Sequence, residues 1–215
     1  MGAFPQAKRE ARRRIGNMET VRKRELFTRH QPVAARGFRR VLQACLVLGV
    51  GLTACSPTYN WREVHADGDL DATLPCKPRD DTRRVTLAGR LVDMRLLSCE
   101  AGGAIWAIGT ADVREAGVVG EALSGLRAAL GANIGSTSEL KGPASIVGAT
   151  PFPAAGHFAA TGKRRDGSAV QAEALVFARG TRIYQASVLR PGAASGPLQE
   201  AQEQFFSSLA FPVPR

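Results

Sequence analysis

Thr82-Arg-Arg-Val-Thr-Leu-Ala-Gly-Arg-Leu-Val-Asp-Met-Arg-Leu-Leu-Ser-Cys-Glu-Ala-Gly-Gly-Ala-Ile-Trp-Ala-Ile-Gly-Thr-Ala111 is the stretch that decides the fold. Val85, Leu87, Leu91, Met94, Leu96, Ile105, Trp106 and Ile108 give it strand-like apolar content, and glycine-bearing breaks interrupt it at Ala88-Gly89 and at Ala101-Gly102-Gly103. The spacing predicts strands over 82–87, 90–99 and 104–111, joined as an antiparallel meander. A two-residue turn at Ala88-Gly89 sets Leu87 opposite Arg90. All other facing pairs follow from that one, and Cys99 falls opposite Pro78, two residues from Cys76.

Upstream, residues 61–66 and 70–74 alternate apolar and polar around Asp67-Gly68, which predicts a short hairpin ended by Pro75 and Pro78. Downstream, Val119, Ala122, Leu123, Leu126, Ala129, Leu130 and Ile134 recur at helical spacing and predict a helix from about Arg114 to Asn133. Gly117, Gly120, Gly125 and Gly131 each weaken it by about 1 kcal/mol relative to Ala, so it depends on docking, and small residues let it sit close to a sheet. One irregular strand is expected within the Gly-, Ser- and Pro-rich loop 135–153. Residues 157–163, 169–178 and 181–190 read as three strands with turns at Asp166-Gly167 and Arg179-Gly180. Pro197 opens a last helix, about 197–210, with Leu198, Ala201, Phe205 and Leu209 on one face, and Pro212 forbids its continuation. Runs of strands with few, long helices define an α+β domain on an antiparallel sheet, here residues 61–215.

These elements resemble the PsbP-like fold, through Leu74-Pro75 followed by Lys77-Pro78, the mid-chain helix, and the ending Phe205-Phe-Ser-Ser-Leu209. The chain also resembles a group of uncharacterised Gram-negative lipoproteins through Pro57-Thr-Tyr-Asn-Trp-Arg62. Together the resemblances cover most of residues 55–211. They imply a fold and a compartment, and carry no catalytic residue across.

Charge separates the chain into two parts. The whole sequence has 29 Lys and Arg against 19 Asp and Glu, a net of +10. Residues 1–40 hold twelve of the cations and three of the anions, 41–54 hold none, and 55–215 are close to neutral at +1. The basic clusters Arg12-Arg13-Arg14 and Arg22-Lys23-Arg24 lack interleaved stacking aromatics apart from Phe27 and Phe38, so no nucleic-acid partner is expected. Arg36, Arg39 and Arg40 instead precede fourteen uncharged residues that end in Leu52-Thr53-Ala54-Cys55. That order reads as a secretory signal rather than a buried core helix of similar length, and is too short for a spanning helix, which needs about 20 apolar residues. The last four residues resemble the lipobox of bacterial lipoproteins.

The resemblance implies that residues 1–54 are removed, that Cys55 carries diacylglycerol and, on its amine, a fatty acyl chain such as palmitate, and that 55–60 tether the domain. Two or more acyl chains make such an anchor durable. Ser56 rather than Asp after the Cys implies the periplasmic face of the outer membrane, with the inner membrane as the alternative. The leader exceeds the usual 15–30 residues, which points to a start at Met18 or to residues 1–30 as a gene-model extension.

If Cys45 leaves with the signal and Cys55 carries lipid, Cys76 and Cys99 remain, and an oxidising compartment favours a disulfide over two free thiols. A zinc site would need His65 and His157 as well, at no recognisable spacing, so no metal is expected. Asp67-Gly-Asp-Leu-Asp71 begins like a calcium loop but continues with Ala72 and Pro78 where Gly and Glu are needed. No nucleophile motif accompanies His65 or His157, and no phosphate-cradling loop precedes a helix, so neither cofactor nor enzymatic activity is expected. Lys163-Arg164-Arg165 reads as an exposed hairpin tip.

The expected function is that of a lipid-anchored, non-enzymatic module serving a protein partner in the envelope. The alternative is a carrier of a small apolar ligand held between sheet and helix by Trp106, Leu123, Leu126 and Phe158. An enzyme would require His65 or His157 beside a carboxylate or thiol in a cleft.

Overall fold

The structure is a computed structural model and describes residues 57–164, 166–192 and 196–212. Its elements in chain order are β1 (Arg62–Ala66), β2 (Leu70–Leu74), β3 (Arg79–Leu87), β4 (Arg90–Ala101), β5 (Ala104–Asp112), α1 (Val119–Ala132), β6 (Glu139–Gly142), β7 (Gly156–Lys163), β8 (Ala169–Arg179), β9 (Arg182–Pro191) and α2 (Gly196–Ser207). A single 3-10 turn, Ala116–Val118, precedes α1. Strands β1 and β2 form a separate hairpin, and the other seven form one antiparallel sheet in the order β3-β4-β5-β9-β8-β7-β6. The architecture is α+β, as the patterning predicts.

The meander has the predicted register. Ala88 and Gly89 take φ of 48° and 70°, the left-handed pair that a two-residue hairpin turn requires, and Leu87 pairs with Arg90. Strand β3 starts at Arg79, three residues before the expected start, and Arg79 faces Ser98. Gly102-Gly103 turns the chain again, so Ala101 faces Ala104 and Cys99 faces Trp106.

Each face of the sheet is covered by a different layer. Along β8, Val170, Ala172, Ala174, Val176 and Ala178 face α1, while Leu175 and Phe177 face the opposite side. Burial on both faces explains why β8 reads as a nearly continuous apolar run. Val119, Ala122, Leu123, Leu126 and Leu130 of α1 pack onto it, each leucine contributing about 2 kcal/mol by removal from water. On the other face the β1–β2 hairpin and α2 enclose Leu97, Trp106, Ile108, Tyr184 and Phe205. Trp106 and Phe205 meet edge to face at 5.7 Å.

Local polar chemistry moves several boundaries. Helix α1 begins at Val119 rather than near Arg114, because the Asp112 carboxylate accepts the Arg114 amide at 2.8 Å and Arg114 sits at φ 63°. Helix α2 ends at Ser207 rather than near 210. There the Ser208 hydroxyl accepts the Thr73 amide at 2.9 Å and donates to the Phe205 carbonyl at 2.7 Å, drawing the chain toward β2. Ala210 then bridges Asp71, and Leu209 is buried from this extended tail rather than from the helix face. The β1–β2 turn has three residues, Asp67 to Asp69, and the β8–β9 turn is Gly180-Thr181, since Arg179 pairs with Arg182.

Candidate functional site

The four residues expected to line one cavity do not share a face. Trp106 is fully buried against the hairpin and α2, whereas Leu123, Leu126 and Phe158 are buried under α1 on the other side of the sheet. The β4–β5 register contains the reason: Trp106 lies directly opposite Cys99, so it shares the face to which Cys76 and the hairpin are tied. Leu123 and Phe158 are closed into packed core, and of the four only Leu126 reaches an open space.

That space is a groove of about 420 Å³ between α1 and the β3–β5 half of the sheet. Val85, Leu87, Met94 and Leu96 with Leu126 make its apolar floor, and Arg83, Asn133, Gln185 and Ser187 its polar rim. The volume lies in the range of small-molecule sites, as does the combination of an apolar floor with a few polar groups. Gly109 opens the floor: a Cβ there would lie 2.8 Å from the Met94 methyl. The helix glycines do not seat α1 on the sheet. A Cβ on Gly125 would meet Leu87 at an ordinary 3.5 Å, and the crowded one, Gly131, faces the following loop. A larger depression of about 650 Å³ lies under residues 143–155, but no titratable side chain lines it to orient a ligand.

Cys76 and Cys99 form a disulfide across a separation of 23 residues, with a Cα–Cα distance of 5.9 Å. Beside it the turn of the β1–β2 hairpin is fastened to the sheet through Arg95. Its guanidinium donates to Asp80 at 2.9 and 2.6 Å and to Asp67 at 2.7 Å, and Thr110 donates to the other Asp67 oxygen at 3.1 Å. The bonds from Asp80 and Asp67 raise the Arg95 pKa further, and the same pairing lowers that of Asp80. Asp71 is engaged by His65, so two carboxylates of the calcium-like stretch, Asp67 and Asp71, are bonded by protein groups. Tyr184 donates to the Asp67 carbonyl at 3.0 Å, and burial pushes its hydroxyl up to about 12.

Both histidines among the described residues lie beside a carboxylate. His65 pairs with Asp71 in solvent. His157 is part of a more enclosed network at the junction of β7, β8, β9 and α2: its Nε2 lies 3.0 Å from Glu173, Arg190 donates to Glu173 at 2.7 Å, and Phe206 packs edge-on against the imidazole at 5.6 Å. Burial pushes the Glu173 carboxyl up, but the bonds from Arg190, Gln202 and His157 outweigh it and hold the group below its usual value. Among the described residues no hydroxyl or thiol bonds either imidazole.

No family model, curated protein or solved structure matches the chain. The lipobox, Cys55 and the leader lie outside the described residues, as does Arg165 of the expected basic tip. Sequence reasoning missed the Glu173–Arg190 pair. Its signal was a Glu on β8 and an Arg on β9, the neighbouring strand, within largely apolar stretches; in the register Glu173 faces Val188 and Arg190 faces Gln171, so the two meet on a diagonal.

Proposed function

We propose that the mature chain is a lipid-anchored, non-enzymatic module on the periplasmic face of the outer membrane, held through Cys55 and serving a protein partner in the envelope. The observation that carries it is the Cys76–Cys99 bridge, a crosslink at home in an oxidising compartment, on a chain whose basic leader and apolar run end in Leu52-Thr53-Ala54-Cys55. The PsbP-like resemblance adds a fold analogy only.

Intact mass of the protein extracted from membranes of an expressing Gram-negative host tests it, beside Cys55→Ala. The expected mass is that of residues 55–215 plus about three acyl chains, two hydrogens below the reduced form. An unlipidated chain in the soluble fraction removes the anchor and returns the basic leader to consideration as a functional arm.

The groove beside α1 supports a second reading, in which the module carries a small apolar molecule. Titration with a fluorescent acyl probe should then saturate at one site and fail in Gly125→Phe, whose ring would fill the groove. Probe binding that does not saturate rejects it.

A further inference from the structure

The sheet ends in two edges of opposite design. Strand β6 is four residues long and its register shifts between Leu140 and Gly142, a short and irregular edge that discourages pairing. Strand β3 runs nine residues, pairs with β4 without a break, contains neither Pro nor Gly, and is exposed from Arg79 to Arg84. Because Leu87 and Arg90 close a two-residue turn, they exchange both backbone bonds, and bonded pairs alternate from there. Residues 81, 83 and 85 therefore turn their amides and carbonyls toward β4, and 80, 82 and 84 turn theirs outward. Among the described residues no other backbone group bonds these outward-facing positions.

The side chains on this open edge read Asp80-Asp81-Thr82-Arg83-Arg84, two acids and two bases placed antisymmetrically about Thr82. We infer that β3 is a homodimer interface, in which two copies pair antiparallel about a two-fold axis at Thr82 and join their seven-stranded sheets into one. In that register Asp80 faces Arg84 and Asp81 faces Arg83, each twice, and the outward backbone groups at 80, 82 and 84 meet each other. The neighbouring registers that keep the same backbone match bring like charges together: centred on Arg83 they oppose two arginines, and centred on Asp81 two aspartates. The charges thus select one register and repel the others, and an edge facing its own copy closes as an isologous pair.

Asp80 and Arg84 already have partners within the chain, Arg95 and Asp93. Asp81 and Arg83 have no ion-pair partner among the described residues, and the second copy supplies one to each. The occupant is fixed by this self-complementarity, whether or not Cys55 carries lipid.

Thr82→Cys in the full chain tests the register. Residues facing each other as a bonded pair lie about 5.5 Å apart at Cα, within disulfide reach, so the variant should form a covalent dimer on non-reducing electrophoresis above the background of the unsubstituted chain. Arg84→Cys should not, because it faces Asp80. Adding Asp81→Arg to Thr82→Cys should raise the dimer dissociation constant at least about tenfold and lower the crosslink accordingly. Adding Arg83→Asp as well should restore it, since the reversed charges are again complementary. Failure of Thr82→Cys to crosslink, equal crosslinking of Arg84→Cys, or a yield indifferent to Asp81→Arg each overturns the interface. Thermal melts of the same variants show that exposed substitutions have left the fold intact.

Discussion

Removing the Cys76–Cys99 crosslink should destabilise the domain by about 3.4 kcal/mol. The bridge closes a loop with a separation of 23 residues. The chain-entropy relation converts a loop of that length to about 11 cal/mol/K of denatured-state entropy, which is about 3.4 kcal/mol at 25 °C. The perturbation is Cys76→Ala with Cys99→Ala, which leaves neither a thiol nor a new hydroxyl in a half-buried place. Urea unfolding followed by tryptophan fluorescence suits the molecule, because Trp106 is fully buried against Phe205 and Trp61 packs near Tyr59. The midpoint should fall and the slope m should rise, since the freed denatured chain exposes more surface. In thermal melts the loss corresponds to about 7–14 °C for a domain of this size. Reduced wild-type protein should match the double variant. A double variant within about 1 kcal/mol of the wild type, with unchanged m, would refute the reasoning, because the loop would then already be closed in the denatured state by residual β3–β4 structure.

Two glycines of the same helix should respond with opposite signs. Gly125→Ala gains up to about 1 kcal/mol of helix propensity at the cost of an ordinary 3.5 Å contact with Leu87. Gly131→Ala should lose about 2 kcal/mol despite the same propensity gain, because its Cβ would lie 2.6 Å from the Ser136 carbonyl and 2.9 Å from the Ser138 amide; thermal melts separate the pair. Glu173→Gln should cost about 3 kcal/mol by leaving Arg190, only 15% exposed, without its counter-charge, measurable by urea titration. The lowered Glu173 pKa also sets a pH dependence. Its stabilisation is fully present above the unfolded carboxyl's value of 4.5 and is lost as pH falls through the lower folded value, so the wild type should lose stability across that window and Glu173→Gln should lose less.

The meander was legible because its turns are chemically explicit. Ala88-Gly89 fixes one register, which places Cys99 near Cys76 before any packing is known; the pairing of Cys99 with Trp106 across the second turn emerges only in the structure. Helix ends were less legible, since the Asp112 carboxylate at one and the Ser208 hydroxyl at the other act through partners that the apolar period does not register. The carrier cavity failed for a different reason. Burial tendency identified Trp106, Leu123, Leu126 and Phe158 as interior residues, but in a sheet covered on both faces there are two interiors, and only strand parity assigns a side chain to one of them.

The groove and the open edge have a common geometric origin. Seven strands place the outer two about 29 Å apart, whereas a helix with its side chains is about 10–12 Å wide, and α1, with 14 residues, is about 21 Å long. One helix therefore cannot cover a whole face, and α1 lies over β7, β8 and β9, meeting β3 only near Leu87. The opposite face has two covering elements, the hairpin and α2, and buries Trp106, Ile108 and Tyr184 completely. The deficit falls on the β3–β5 half of the α1 face, where Val85, Met94 and Leu96 remain only partly buried. Lengthening α1 would not close it, because the helix would still span too little of the sheet's width; a second layer from outside the chain, or a second sheet continuing from β3, would. Recognition is expected on this half of the molecule because here the layers leave apolar floor beside a long, regular and unpaired strand edge.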